Sequence, residues 1–510
     1  MWLLLCSFAR ADDTVLTLEG EVPEGGPDHF LLPFEVPSGV VEIEVAHDDL
    51  SSENILDWGL DDPDGFRGWG GGNSEPAVVG LEAASRSYLP GPMPAGTWNV
   101  VVGKAKVTER PATYAVTVTL RTAATLAPEA GREPYVAAAP LQSGPGWFAG
   151  DLHVHSRDSG DASPTLDEIG AEAVENGLDF VVISDHNTVS QDALLVAAQA
   201  RWPELLFLPG IEFTTYDGHA GAVGATEWVN HRVGLDGATI EAAAAAISAQ
   251  GAFLVVNHPS LDLGELCIGC AWEQPLDPAA VGGIELITGG WAPVGKLFFE
   301  DNVALWESWL DLGHRVTPVG GSDDHKAGED EGATGSPIGS PTTWVWAEQL
   351  DEAGILEGLR AGRTVIQLQG PGDPFLDLSA DAEPAAGEDI PDSSGLTATV
   401  TGGPGGRLQW IVDGAVVEEL DVDADPFESA RRFDAPAAGL RVRAQWLVEG
   451  EPRVVTGYRY LRDAPAEAAG GGEAASGKAG CGCGASGTRG AAPLGAGLLL
   501  VGLLGARRRR

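Results

Sequence analysis

The chain is short of basic residues: 30 Lys and Arg stand against 75 Asp and Glu in 510 residues, a formal net charge of −45. Long nucleic acid is gripped by clusters of Lys and Arg, so this balance argues against such a partner. Five cysteines are too few for a fold stapled throughout by disulfides. No internal apolar run reaches the ~20 residues that a membrane-crossing helix needs, which excludes a polytopic membrane protein. There is no G-x-S-x-G elbow, no P-loop and no dinucleotide fingerprint, so a serine-elbow hydrolase or a nucleotide-cofactor enzyme finds no support. What is present is a 44% hydrophobic content, enough for packed interiors, spread over a length that predicts about three domains.

The two ends read as address signals. Residues 1–11 form a short apolar stretch closing on Ala9-Arg10-Ala11, which predicts a signal peptide (truncated at its start, for want of a basic region) and hence export. Residues 463–492 are a Gly/Ala-rich linker containing Cys481-Gly-Cys483, and residues 493–510 are an apolar tail ending in Arg507–Arg510. This combination resembles the bacterial C-terminal sorting tags of the MYXO-CTERM type. The resemblance implies delivery to the cell envelope, where the plain alternative is a tail anchor. Cys267 and Cys270 form a single CxxC, which in an oxidising compartment reads as a local disulfide before a zinc site.

Between the ends, three grammars follow one another. Residues 12–125 alternate apolar and polar positions in short runs such as Val40-Val-Glu-Ile-Glu-Val and predict a β-sandwich. A linker covers 126–146. From 147 to 370 apolar runs (Phe180-Val-Val-Ile, Leu205-Leu-Phe-Leu, Phe253-Leu-Val-Val) alternate with helical stretches. These repeated β–α units predict a parallel sheet and, at this length, a TIM-like barrel. Short alternating strands return over 371–462, predicting a second, smaller β-sandwich.

Of ten histidines, eight lie between His153 and His325, and they recur where predicted strands stop. Asp151-Leu-His153-Val-His155 sets two imidazoles on one side of a strand. Asp185-His186, Glu212, His219, His258 and Asp323-Asp324-His325 follow at successive strand ends, the face on which barrel enzymes build their sites. Only six Lys or Arg lie between 147 and 346 to offset these groups, so divalent cations are the economical counter-charge.

As an ordered set, these motifs resemble the polymerase and histidinol phosphatase (PHP) superfamily of metal-dependent hydrolases, in particular its secreted, carbaryl-hydrolase-like branch. The resemblance covers residues 147–370 and implies a distorted (β/α)7 barrel with two or three divalent metal ions (Zn, Mn or Fe). It implies His153, His155, Asp161, His186, Glu212, His219, His258, Asp323 and His325 as metal ligands, with Glu212 bridging. Asp158 competes with Asp161 for the acidic position, and His219 reads either as a ligand or as a substrate contact. A hydroxide held between two ions would attack phosphorus or a carbonyl carbon. Asp185 is expected to orient a ligand or the attacking water, and Arg157 and Lys326 to bind a substrate phosphate. The sequence thus predicts an exported phosphoesterase acting on small phosphate esters or nucleotides. A carboxylester or carbamate hydrolase with the same metals is the alternative, and an inactive surface-binding protein the alternative of another class.

Overall fold

The computed structural model describes residues 13–264, 267–291, 295–329, 335–381, 383, 388–436 and 438–462. The predicted signal peptide, Cys481, Cys483 and the C-terminal tail lie outside the described residues. The described chain is multidomain and rich in sheet, and none of its helices is long and apolar enough to cross a membrane.

The first eight strands are β1 (Thr14–Glu21), β2 (His29–Val36), β3 (Glu42–Asp48), β4 (Ile55–Asp62), β5 (Gly65–Gly71), β6 (Ala77–Gly80), β7 (Gly96–Lys106) and β8 (Thr113–Arg121). They pair as two antiparallel sheets, ordered β1-β8-β3-β6 and β2-β7-β4-β5. Alternate residues of the two sheets, among them Phe34, Ile43, Trp98, Val100, Val116 and Val118, share one core.

The central segment holds β9 (Gln142–Val154), β10 (Phe180–Ile183), β11 (Leu206–Thr215), β12 (Gly218–Val223), β13 (Phe253–Val256), β14 (Gly283–Thr288), β15 (Thr317–Gly321), β16 (Thr342–Leu350) and β17 (Thr364–Gln367). Its helices are α1 (Leu166–Glu175), α2 (Asp192–Arg201), α3 (Ile240–Ala249), α4 (Lys296–Asp311) and α5 (Glu352–Arg360). Helix α1 begins where Thr165 and Glu168 make a reciprocal capping box, and it buries Leu166, Ile169 and Ala173 along one stripe. The strands β10, β13, β14 and β15 are buried at every position, as expected of strands covered on both faces.

The sheet departs from the all-parallel expectation. It runs β15-β14-β13-β12-β11-β10-β9-β16-β17, with β12 antiparallel to both β11 and β13 and β16 antiparallel to β9. The turn at Tyr216-Asp217 explains β12, because a parallel neighbour needs a crossover of a dozen or more residues. The two ends of the β9–β15 run meet at an isolated bridge between Val154 and Asp324. There the His155 N–H donates to the Asp324 carbonyl (2.9 Å) and the Asp323 N–H to the His153 carbonyl (2.8 Å). This contact sets the His-x-His segment beside the Asp-x-His segment.

Beyond β17 come β18 (Phe375–Ala380), β19 (Ile390–Pro391), β20 (Leu396–Thr401), β21 (Arg407–Val412), β22 (Ala415–Asp421), β23 (Phe427–Arg431), β24 (Leu440–Val448), β25 (Glu451–Thr456) and β26 (Arg459–Arg462). Strands β18, β20 and β23 form a small sheet, whereas β25 pairs with β17, so one C-terminal layer continues the central sheet. Trp410, Val442, Ala444, Leu376 and Leu396 fill the space between these layers.

The N-terminal sheets pack on the central segment through aromatic rings. His29 stacks on Tyr216 with centroids 5.5 Å apart, Trp69 meets His231 at 4.5 Å, and Phe66 stacks on Trp228 at 4.4 Å. Burial, reinforced by Arg232 and Lys104, lowers the His29 pKa to about 3, and burial likewise lowers that of His231. The unfolded chain takes up these protons near pH 6.5 while the folded protein does not, so stability is expected to be lost as the pH falls below about 6.5. At about 1.4 kcal/mol per unit, the His29 gap alone corresponds to several kcal/mol by pH ~3. Denaturant melts from neutral pH down to about pH 5 check this. A flat stability profile there would contradict the buried neutral state of these rings.

Candidate metal centre

Each side chain of the centre is delivered by the sheet at or just beyond a strand. His153 and His155 end β9, His186 follows β10, Glu212 lies in β11, His219 in β12, His258 follows β13, and Asp323 and His325 follow β15. Asp161 arrives on the loop between β9 and α1. Three of these loops carry non-glycine residues in the left-handed region: Asn187 (φ +50°), His258 (φ +28°) and Asp323 (φ +57°). Such strain persists only where the surroundings enforce it. At Asn187 the enforcement is visible, since its amide both donates to the Thr214 carbonyl and accepts from the Thr214 N–H at 2.9 Å.

All nine predicted ligands converge, with Glu212 at the middle. Glu212 Oε1 lies 3.1 Å from His258 Nε2 and 3.3 Å from both His153 Nε2 and His219 Nδ1. Its Oε2 lies 2.9 Å from His186 Nδ1 and 3.3 Å from His155 Nε2. Asp323 Oδ1 sits 3.2 Å from His153 Nε2 and 3.1 Å from His155 Nε2. Asp161 Oδ2 completes a second group, 3.3 Å from His186 Nε2 and 3.4 Å from His325 Nε2.

The far sides of the rings are held by the protein. His153 Nδ1 faces Glu285 Oε1 (3.0 Å), His155 Nδ1 faces Ser159 Oγ (3.0 Å), and His258 Nδ1 faces the Cys270 carbonyl (3.0 Å). Outer bonds of this kind orient an imidazole and fix which nitrogen offers its lone pair inward. Glu285 also accepts from the His258 N–H (2.8 Å) and the Thr288 hydroxyl (2.6 Å), so one buried carboxylate braces two of the histidine-bearing segments.

Does this donor set fit cations? His153 and His155 approach Nε2 to Nε2 at 3.1 Å, and Glu212 Oε2 and both nitrogens of the buried His219 have no hydrogen-bond partner. Buried polar atoms are rarely left unpaired, and the donor types are those of Zn, Mn or Fe sites. The electrostatics agree. Burial opposes charge on His153, yet Glu212, Asp323 and Glu285 raise its pKa well above the usual value, and Asp161 and Glu212 do the same for His186. Burial would raise Glu212, but His153, His186 and His219 hold it well below the carboxylate range. His155 and His219 are lowered by burial and so stay neutral, as ligands must be. The carboxylates thus favour positive charge at the centre, which bound cations would supply.

Three further residues were expected to orient a ligand or bind substrate. The Asp185 carboxylate accepts from the Ser156 N–H and hydroxyl, both at 2.6 Å, its carbonyl accepts from the Glu212 N–H (3.2 Å), and burial raises its pKa well above normal. It positions the chain after His155. Arg157 turns outward from its 3-10 turn, pairs with Glu129 and lines a groove with Asp167 and Arg201. Lys326 is exposed beside His325, its N–H donating to Asp324 Oδ1 (3.0 Å). The contest between Asp158 and Asp161 is decided as well. Asp158 is taken by the Ser190 hydroxyl (2.9 Å) and Arg132 (3.3 Å), which leaves Asp161 facing the histidines.

The sequence reading missed two contributors. Glu285 was signalled only by a lone carboxylate inside the apolar run Ile284-Glu-Leu-Ile287. The N-terminal domain carried no signal at all, yet its segment between β6 and β7 clamps the Asp161 loop. The Ser87 hydroxyl donates to the Asp158 carbonyl (2.7 Å), and Arg86 donates to that of Ala162 (3.1 Å). Gly160, at φ +92°, passes so near that a Cβ there would lie 2.8 Å from the Gly70 carbonyl oxygen.

No protein-family model matches the chain, and no curated protein matches it. Among solved structures it is similar to a two-domain Bacteroides vulgatus protein named as containing a predicted PHP-like metal-dependent phosphoesterase. That likeness has 19% identity and a TM-score of 0.36, over 61% of this chain and 94% of the other. A Bifidobacterium adolescentis protein, provisionally named a metal-dependent phosphoesterase, is similar at 15% identity and a TM-score of 0.25, over 37% of this chain and 91% of its own. Likenesses this low leave fold and activity to rest on the geometry above.

Proposed function

We propose that the chain is an exported, PHP-type metal-dependent hydrolase whose substrates are small phosphate esters or nucleotides. The observation that carries the reading is Glu212, a buried carboxylate shared among five inward-facing histidines. His153, His155, Glu212 and Asp323 would hold one divalent ion, Asp161, His186 and His325 a second, and Glu212, His219 and His258 a third. Bound there, two or three Zn, Mn or Fe ions supply Lewis acidity and bring the pKa of water toward neutrality. The chain's own part is to fix the donors: Glu285, Ser159 and the Cys270 carbonyl lock ring orientations, and the N-terminal clamp holds the Asp161 loop. The Cys267–Cys270 disulfide supports placement outside the cytoplasm, with attachment to the cell envelope through the tail.

Carbamate or carboxylester hydrolysis is a second reading, favoured by Arg157, whose turn toward Glu129 takes one expected anion-binding group away from the centre. Arg157→Ala is accordingly expected to leave KM for phosphate esters within about twofold of wild type, a change too small to count as a lost charge-assisted bond. A large rise in KM would return Arg157 to the substrate site. The proposal itself is tested with p-nitrophenyl phosphate, bis-p-nitrophenyl phosphate and naphthyl carbamates in the presence of Mn or Zn. Turnover of a phosphate ester is expected, and turnover of carbamates alone would reverse the ranking. Substoichiometric metal in the purified protein would favour the inactive binding protein over both.

A further inference from the structure

Cys270 belongs to no role assigned above beyond its carbonyl, yet its sulfur lies inside the centre. Cys270 Sγ and one nitrogen each of His219 and His258 all lie within 4.8 Å of one another, and all three residues are buried. The two rings stand nearly perpendicular, 5.1 Å between centroids, and Glu212 Oε1 lies 3.3 Å from the first and 3.1 Å from the second. Both nitrogens of His219 lack a hydrogen-bond partner. Two imidazoles and a sulfur thus surround one position, and Glu212 lies beside both rings. While the sulfur is bonded to Cys267 it is a poor donor, and the position has three protein ligands.

We propose that Cys270, once released from Cys267, becomes the fourth ligand of the cation held by His219, His258 and Glu212. The disulfide then decides whether that position is open or closed. Three protein ligands leave room for water or substrate, whereas a fourth, thiolate ligand makes a closed site of the structural type and favours softer metals. The chemistry balances. A dithiol reductant gives two electrons and two protons to the Cys267–Cys270 bond and becomes a disulfide itself; the Cys270 thiol then loses its proton on binding the cation. The backbone that carries the sulfur is held by contacts other than the disulfide. The Cys270 carbonyl is held by His258 Nδ1 (3.0 Å), and the Trp272 N–H donates to the Pro259 carbonyl (2.9 Å). Gly269, at φ +74°, lies so close that a Cβ would sit 2.6 Å from Tyr216 Cα. The backbone of this loop is therefore pinned on both sides of the cysteine.

The inference rests on the centre holding cations, and the test separates the two. Full-length Cys267→Ser and Cys267→Ser/Cys270→Ser are titrated with Co²⁺, the remaining thiols being common to both. The d–d bands report cobalt at the centre, and near-ultraviolet charge-transfer absorption reports cobalt–thiolate bonds. The single variant is expected to show additional charge-transfer absorption over the double variant, and to bind its last cobalt about tenfold more tightly. Wild type opened by a phosphine reductant is expected to gain the same absorption, which covers misfolding of the variant. Equal spectra for the two variants, with d–d bands present, would overturn the sulfur ligand and leave the cation centre standing. No d–d bands in wild type would overturn both.

Discussion

Glu212→Ala is expected to abolish tight cation binding and activity together, with kcat/KM falling on the order of 10³-fold or more, since several kcal/mol of Lewis-acid stabilisation is forfeited at 1.36 kcal/mol per tenfold. No other side chain of the centre reaches five histidines. Its Oε1 serves His153, His219 and His258, and its Oε2 serves His155 and His186. The variant also leaves His153 and His186 without one of the carboxylates that raise their pKa values, so the metal-free protein should lose stability as well. Metal analysis, kcat/KM and a denaturant melt of the same preparation read out the three effects. Full metal content with wild-type turnover would remove Glu212 from the centre and the proposed function with it.

Glu285→Ala should come next in size, although Glu285 has no place among the nine. Its carboxylate accepts from His153 Nδ1, the His258 N–H and the Thr288 hydroxyl, so alanine leaves three buried donors unpaired and frees the His153 ring to rotate. A loss of about 10–100-fold in metal affinity is expected from removing such an outer partner. Stability should fall by roughly 1–3 kcal/mol for each donor that water does not reach. Glu285→Gln keeps the shape and one acceptor oxygen, so it should recover part of the affinity. A metal titration of both variants checks the order. Wild-type affinity in Glu285→Ala would show that His153 is oriented by something other than this carboxylate.

The contrast between Glu212 and Glu285 shows where sequence reading works and where it stops. Glu212, His258 and the Asp-x-His pair were legible because polar, metal-capable residues interrupt the chain just where apolar runs end. Glu285 sits inside such a run, in a strand buried at every position, and nothing local distinguishes a bracing carboxylate from a tolerated one. Asp161 matched the acidic position, with Asp158 as its competitor. Ser190 and Arg132, which choose between them, come from outside the loop that carries both aspartates. Arg157 is a related case: it opens a 3-10 turn two residues after His155, and nearness along the chain says nothing about the direction of a side chain that pairs with Glu129.

What was written in the chain, then, was a set of metal-capable side chains that the fold brings together, because alternation, helix caps and strand-end histidines are short-range signals. Folding in three dimensions settled the rest. It turned β12 antiparallel, joined the end of β9 to the segment after β15 through two backbone hydrogen bonds, continued the sheet into the C-terminal strands, and brought the N-terminal domain onto the Asp161 loop. These outcomes depend on pairings between residues far apart in sequence, whose register is set by the packing of whole layers and by no single segment.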